Sequence, residues 1–489
     1  MTLATRVPYI AAFVLICALV GWHAQFIGVG MISHFDEFYT FERSTGFARM
    51  DDWWAVYSGN EPTLKKPPLQ YWMTAGLMEL GVSDVIALRA PSLLFAGLTL
   101  CATGLLARVV LPQHPWAAVG VVLIVASSQT FWRDATSAML DQGAAFFVTL
   151  GLVTMLLAFD RPRLWPLFAG VVFLGGLQKG PVALGFLLFA VLTLAVTAKL
   201  QAVPLRARLG NRWFLGSFFA ALVLAFSWQL LQDLRFASDD AIRGSVENEM
   251  LNRFLPSVSD EDARTWPIVR GLILGHEPIP RLIGFAGLLV IPFTLKQPLL
   301  LSLTGIAVVF VAVMWMASGN VYARYMLLLT PLLAVGAAGL FVTVLRRDHL
   351  AALAGVAVSV LIGGPFFAAN QLALQTATRN GATLEEILRP VAAELRPEEL
   401  LVVCTWNRSM RIPPGAYTVY AAGTHDYLRL RHDDLKSASA RHGYDGGPLR
   451  GVCTASELDE ISDVLTDLSM QTLPGGYLHW TASGLQDDT

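Results

Sequence analysis

Apolar runs near bilayer thickness recur from the N-terminus to about residue 370, and no other feature of the chain restricts its fold so tightly. In hydrocarbon every backbone N–H and C=O needs a partner within the protein, so such runs can only be helices. Spans are read near 7–28, 86–107, 116–132, 139–159, 164–178, 181–198, 213–232, 281–295, 298–317, 325–345 and 350–370. The shorter stretches 69–80 and 267–275 read as half-spans or surface helices. Composition agrees, since 54% of the 489 residues are hydrophobic and 15% charged, where a soluble domain carries about a quarter charged. A net charge of −2 with no basic tract gives no support to a nucleic-acid partner. Arg6 opens an apolar run, Val7 to Val20, that no small-residue cleavage pattern follows; it reads as a first span rather than a removed signal.

Past the last span the chain changes character. Residues 373–489 hold 16 acidic and 10 basic side chains and alternate short apolar runs with polar turns. A helix is expected over 384–395 and a buried strand over 400–404. Further strands are expected at 416–421 and 427–430, and a second helix at 458–468. The expected fold class is therefore an α-helical polytopic membrane protein of about 11 spans, residues 1–372, with outer-loop helices within 29–85 and a small C-terminal α/β soluble domain, residues 373–489.

Alternating the spans from an N-terminus inside gathers Arg6, Arg108, Arg161, Arg163, Lys199, Arg206, Arg208, Arg212, Lys296, Arg346 and Arg347 on the inner side, as the positive-inside rule asks. The soluble tail then lies outside the plasma membrane. Cys404 and Cys453 could pair there if the compartment is oxidising, while Cys17 and Cys101 sit in apolar runs as small core residues. The remaining charge collects at the outer ends of the spans. A transporter or lipid flippase, the alternative reading, would carry ionisable groups near mid-depth, and none is found there.

Those outer ends hold the candidate chemistry. Asp36-Glu37 follows the first span, and neighbouring carboxylates can take a proton from an acceptor or hold a divalent cation. About 100° apart on a helix, only one would face a given site. The aromatic and charged residues that follow, among them Phe41, Phe47, Trp53, Trp54 and Arg43, suit helices lying in the headgroup layer. In Lys65-Lys66-Pro67-Pro68-Leu69-Gln70-Tyr71-Trp72 the prolines make an extended lead-in to a helix, which places a lysine at phosphate depth or anchors a surface helix. Asp134 and Asp141 share a face if one continuous helix carries them, and Asp141 needs a partner such as Lys66 or Arg133. Lys179, in Gln178-Lys179-Gly180-Pro181, suits a phosphate or a turn anchor equally. Arg253 pairs with Glu249 at i,i+4 or faces a phosphate. Tyr325 is an interfacial tyrosine or a donor to a lipid phosphate. His23, His34 and His276 read as structural or solvated, and no metal-ligand spacing is evident.

Taken in order, Asp36-Glu37, Lys66-Pro67-Pro68 with Tyr71-Trp72, Arg89-Ala90-Pro91-Ser92, Asp141, Lys179-Gly180, Arg253-Phe254 and Tyr325 with Pro331 resemble the polyprenyl-phosphate-sugar-dependent glycosyltransferases of the C-type membrane fold. That family includes the lipid A aminoarabinose transferases and is related to the protein O-mannosyltransferases. The resemblance covers about residues 5–345 and is strongest in the first hundred. It implies transfer of a sugar from a polyprenyl-phosphate donor to an envelope lipid, glycan or protein acceptor. On it, Asp36 resembles the acceptor-activating carboxylate, Lys66, Arg253 and Tyr325 the phosphate-holding set, and Asp141 and Lys179 polar positions lining the cavity. The aminoarabinose transferases carry metal ligands just before the lysine-proline motif and three residues before the arginine-phenylalanine motif. Lys65 and Met250 stand at those positions here, so a zinc site of that kind is not expected.

Overall fold

A computed structural model describes residues 3–28, 35–58, 61–64, 66–180, 182–236, 278–295, 298–316, 323–346, 348–358 and 361, and, in the tail, 391, 394–396, 399–403, 427–429, 435–436, 439, 444, 446–473 and 476–486. These residues form two compact units, one of residues 1–26, 63–70 and 89–371, the other of 27–62, 71–88 and 372–489.

In chain order the helices are α1 (Leu3–Ala24), α2 (Phe35–Arg49), α3 (Leu69–Glu79), α4 (Asp84–Val110), α5 (Ala117–Ala126), α6 (Gln129–Ala135), α7 (Leu140–Asp160), α8 (Trp165–Lys179), α9 (Val182–Leu200), α10 (Leu205–Leu209), α11 (Arg212–Arg235), α12 (Pro278–Thr294), α13 (Pro298–Met316), α14 (Thr330–Leu345) and α15 (Asp348–Val358). Arg6–Ala24 of α1, together with α4, α7, α9 and α11, is long and apolar enough to cross a membrane, and α5, α12, α13 and α14 contain shorter apolar helices. The chain is thus a multi-pass membrane protein.

Two expected spans are interrupted. The 116–132 run breaks at Ser127-Ser128, where the Ser128 hydroxyl accepts from the Phe131 amide and caps α6. A second break separates α6 from α7, so Asp134 and Asp141 do not share one continuous helix. Ahead of α14, Ala323–Leu328 is a tight 3-10 turn rather than the start of a straight span. Segment 267–275 lies outside the described residues, as does His276.

Small residues set the closest helix approach in the first unit. α12 and α14 meet through Gly284 and Gly287 on one side and Gly336 on the other; a Cβ on Gly287 would strike the Gly336 carbonyl oxygen. Without a hydrophobic drive between helices in lipid, dispersion at such crossings and buried hydrogen bonds hold the bundle. One such bond joins Thr197 of α9 to Ser302 of α13 at 2.7 Å.

In the second unit, Phe41 and Phe47 of α2 are fully buried, and Glu42 and Arg43 are also buried. Protein therefore covers much of this helix, its aromatic and charged side chains included. Arg43 donates to the Tyr71 hydroxyl at 2.9 Å and lies over the Tyr39 and Tyr71 rings, while the Trp72 indole donates to the Trp53 carbonyl. These bonds fix the Tyr71-Trp72 part of the motif that the sequence singles out.

The same unit contains a mixed five-stranded sheet. With β1 (Tyr57–Ser58) and β2 (Glu61–Pro62) forming a separate hairpin, the sheet strands are β3 (Leu400–Val403), β4 (Tyr427–Arg429), β5 (Leu449–Thr454), β7 (Ser469–Thr472) and β8 (Tyr477–Ala482), in the order β4-β3-β5-β8-β7. β6 (Leu465–Thr466) pairs with β9 (Gly484–Leu485). Helix α16 (Ala455–Ser462) is shorter than expected and begins earlier, because Thr454 and Glu457 form a reciprocal capping box. Leu458 and Ile461 pack with Val402, Leu449, Cys453 and Trp480. Cys453 is disulfide-bonded; Cys404 and the expected strand 416–421 lie outside the described residues.

On the opposite face of this sheet Arg450 donates to Glu399 at 2.8 and 3.1 Å, to Glu394 at 3.1 Å and to His479 Nε2 at 2.9 Å. Burial, and then the Arg450 charge, hold His479 below its ordinary value of 6.5. Burial acts to raise Glu399, but bonds from Arg450 and the Arg396 amide outweigh it and leave the carboxyl below its ordinary 4.5. Both shifts have the same sign for stability. Neutral His479 contributes above 6.5 and loses that contribution as pH falls through its folded value, and ionised Glu399 behaves likewise below 4.5. Hydrogen exchange in peptides covering β5 and β8, corrected for the intrinsic pH effect, should therefore quicken on acidification from pH 7 to 5. The His479→Gln variant should lose that first step, and an unchanged pH response in the variant would contradict the assignment.

Candidate active site

The site is assembled where helix ends of opposite sense meet. Successive helices α7 and α8 run antiparallel, which brings the first turn of α7 beside the last turn of α8. Asp141 lies in the former and Lys179 ends the latter, so each charge suits the partial charge of its helix terminus. Lys179 Nζ donates to Asp141 Oδ1 at 2.5 Å. Arg324, from the 3-10 turn, approaches Oδ2 of the same carboxylate at 3.7 Å. Lys66 also acts electrostatically on Asp141. Tyr325 closes this side, its ring centroid 5.0 Å from Lys179 Nζ and 6.0 Å from the Arg324 guanidinium. Gly180 ends α8 at φ +22°, ψ −83°, a backbone that glycine tolerates best, and a Cβ there would also press on the Gln229 amide at 2.7 Å.

Asp134 extends the cluster. It is fully buried, accepts from Arg133 Nε at 3.0 Å through Oδ1, and has no hydrogen-bond partner for Oδ2 among the described residues. Burial, aided by the Asp141 charge and opposed by Arg133, pushes its carboxyl up to about 6. Around Asp141 the cations Lys66, Lys179 and Arg324 outnumber the one carboxylate, which suits an anion.

Of the seven residues expected from sequence, Lys66, Asp141, Lys179 and Tyr325 come together here. Asp36 and Glu37 occupy the first turn of α2 in the second unit, with Glu37 fully buried and Asp36 part-exposed. Arg253 lies outside the described residues, as do Lys65, Met250 and His34. Lys179 and Arg324 hold Asp141 by direct contact, whereas Arg133, named as a candidate partner, pairs with its neighbour Asp134. Helix topology decides this, since Arg133 precedes the break before α7. His23 is structural, stacked on Trp132 with centroids 3.7 Å apart and bonded to the Leu19 carbonyl.

Arg324 is a site residue that no sequence motif marks, and three buried polar residues inside the marked strings adjoin the site. Gln178 Nε2 donates to Gln70 Oε1 at 2.8 Å and to the Leu140 carbonyl at 3.1 Å. Gln70 Nε2 donates to Ser92 Oγ at 3.0 Å, and Ser92 Oγ to the Met139 carbonyl at 3.2 Å. The usable signal was an amide in the terminal turn of an apolar helix, next to a charged residue.

No family model matches the sequence, and no curated protein matches it. Solved structures do. ArnT from Cupriavidus metallidurans bound to undecaprenyl phosphate aligns with a TM-score of 0.66 at 16% identity, over 97% of this chain and 98% of that one. Its apo state aligns at 0.68 and 15% identity, over 97% of each chain. The Archaeoglobus fulgidus oligosaccharyltransferase in the apo form gives 0.55 at 11% identity, over 98% of this chain and 74% of its own. At this level of identity the likeness lies in the arrangement of the chain, and it extends over nearly all of its length: the protein has the C-type membrane fold that ArnT and oligosaccharyltransferase share.

Proposed function

We propose that this protein transfers a sugar from a polyprenyl-phosphate carrier to an envelope acceptor at the outer face of the plasma membrane. The observation that carries the reading is the cationic cluster of Lys66, Lys179 and Arg324 around Asp141, with Tyr325 against it, on a fold also found in a structure holding undecaprenyl phosphate. Lys66, Lys179, Tyr325 and Arg253 hold the lipid phosphate. As the glycosidic bond breaks, the phosphate gains charge, and cations fixed nearby stabilise that charge more in the transition state than in the bound donor. Asp36 takes the proton from the attacking acceptor group, buried Glu37 holds the helix turn that carries it, and the anomeric carbon passes through an oxocarbenium-like state. Asp141 keeps the two cations it contacts apart and aimed, at the cost of part of their charge.

The division at residues 372 and 373 is proposed as membrane domain before and extracytoplasmic domain after, with the N-terminus cytoplasmic. The disulfide at Cys453 supports an oxidising compartment for the tail. A divalent cation at Asp36 is not required by the chemistry proposed for the side chains.

The test is incubation of purified protein, with envelope extract as acceptor source, against a panel of polyprenyl-phosphate sugars. One donor is expected to be consumed with release of polyprenyl phosphate, and Lys66→Met is expected to slow that release about 100-fold. Translocation of the lipid in vesicles, without glycosyl product from any donor, would replace this reading with a flippase.

A further inference from the structure

The hydrogen bonds of Gln178 and Gln70 tie together the segments that carry the charged residues of the site. Gln178 immediately precedes Lys179, the Leu140 carbonyl it binds immediately precedes Asp141, and Gln70 stands two residues after Pro68 of the Lys66-Pro67-Pro68 string. The bonds form an unbroken path: Leu140 carbonyl, Gln178 amide, Gln70 amide, Ser92 hydroxyl, Met139 carbonyl. It starts and finishes on consecutive peptide groups at the start of α7, so the carbonyls of both residues that precede Asp141 accept from it. All three side chains are fully buried.

The surroundings are shaped for this amide. A Cβ on Gly143, one helical turn along α7 from Leu140 and Met139, would collide with the Gln178 carboxamide, so glycine there leaves the space that the amide occupies. Burying three polar side chains is costly unless each finds partners, and apolar residues of like volume would satisfy packing without that cost. What apolar residues cannot do is fix direction. Lysine side chains are long and rotamer-rich, and an ammonium holds its place only as well as the backbone beneath it.

We propose that Gln178 and Gln70 are positioning residues, an amide clasp that locks the start of α7, the end of α8 and the lead-in to α3 in one register, and so sets the spacing of Asp141, Lys179 and Lys66. The catalytic part of this inference rests on the glycosyl-transfer reading above; the geometric part does not. Because the clasp acts on cations whose work grows as the phosphate leaves, loosening it slows turnover more than it weakens donor binding. A displacement of about 1 Å at such a site costs about 100-fold in rate.

The experiment compares Gln178→Met, Gln70→Met, their double variant and a control, Thr197→Val, which removes a buried bond elsewhere in the bundle. Each full-length protein is purified in detergent and its melting temperature, donor KM and kcat are measured. Each single clasp variant is expected to lower kcat about 10- to 100-fold, with donor KM changed less than about threefold. The double variant should lose no more than the worse single, as members of one unit do. Thr197→Val should lower the melting temperature with kcat intact. In parallel, each protein is treated with a carbodiimide, and labelling of Asp141 is read by peptide mass spectrometry. Loss of the ion-pair geometry should expose that carboxyl to reagent at least several-fold faster in the clasp variants than in wild type or the control, whether or not any sugar is transferred.

Wild-type activity with unchanged kcat and unchanged Asp141 labelling in both clasp variants overturns the proposal. Additive losses that track melting temperature also overturn it, since they describe ordinary destabilisation. Faster labelling in a protein with no transferase activity upholds the clasp geometry and removes the functional reading instead.

Discussion

Asp36→Asn is expected to leave the protein folded and to cut sugar transfer by about 10²- to 10⁴-fold. Asp36 lies in the first turn of α2, where its side chain is part-exposed and its backbone carbonyl accepts from the Thr40 hydroxyl. Asparagine keeps that backbone bond and suits a helix N-terminus nearly as well as aspartate. What it cannot do is accept a proton from an acceptor hydroxyl or amine. Glu37 is the informative contrast, because it is fully buried in the same turn. Glu37→Gln should lower the melting temperature, with rate falling as folded protein falls. Initial rate and melting temperature measured on the same detergent preparation separate the two behaviours. Wild-type turnover in folded Asp36→Asn would remove the base from the mechanism.

How much of this was legible beforehand depended on the range of the signal. Hydropathy averages over about twenty residues, so helices α1, α4, α7, α9 and α11 could be read directly from the chain. The same averaging hid the break at Ser127-Ser128, whose capping hydroxyl is one atom in an otherwise apolar window. Lys66, Asp141 and Lys179 stand out in the sequence because only 15% of its residues are charged, and Tyr325 stands at the start of an apolar run. Which cations meet Asp141 was settled by antiparallel packing of α7 on α8, a relation that spacing of 38 residues does not encode. Gln70 and Gln178 stood inside strings that the sequence had already marked. Their neighbours carried formal charge, and an amide at a helix end looks the same whether it faces solvent or grips a distant carbonyl.

Gly336→Leu is expected to be among the most damaging single changes to the fold. Gly336 is buried on α14, where an added Cβ would strike the Gly284 carbonyl and come within 2.8 Å of Leu288 Cγ and 3.0 Å of the Leu288 amide nitrogen. Obstruction by backbone differs from obstruction by a side chain, because no rotamer change relieves it; α12 and α14 must separate along their length. Overfilling a packed interior typically costs 1–3 kcal/mol, and here the cost should exceed about 3 kcal/mol. In lipid the separated helices gain no compensating hydrophobic burial, since tails solvate leucine as well as a neighbouring helix does. Gly336→Ala, adding one carbon at the same spot, should fall between wild type and leucine. Gly216 on α11 supplies the control: it is exposed, with nothing within 4 Å of an added Cβ, and leucine there should change stability by less than about 0.5 kcal/mol. Thermal unfolding followed by size-exclusion chromatography of the detergent-solubilised proteins orders the four. Equal melting temperatures for Gly336→Leu and Gly216→Leu would mean that α12 and α14 do not cross at backbone contact, and the bundle around the 3-10 turn that carries Arg324 and Tyr325 would then need a different packing.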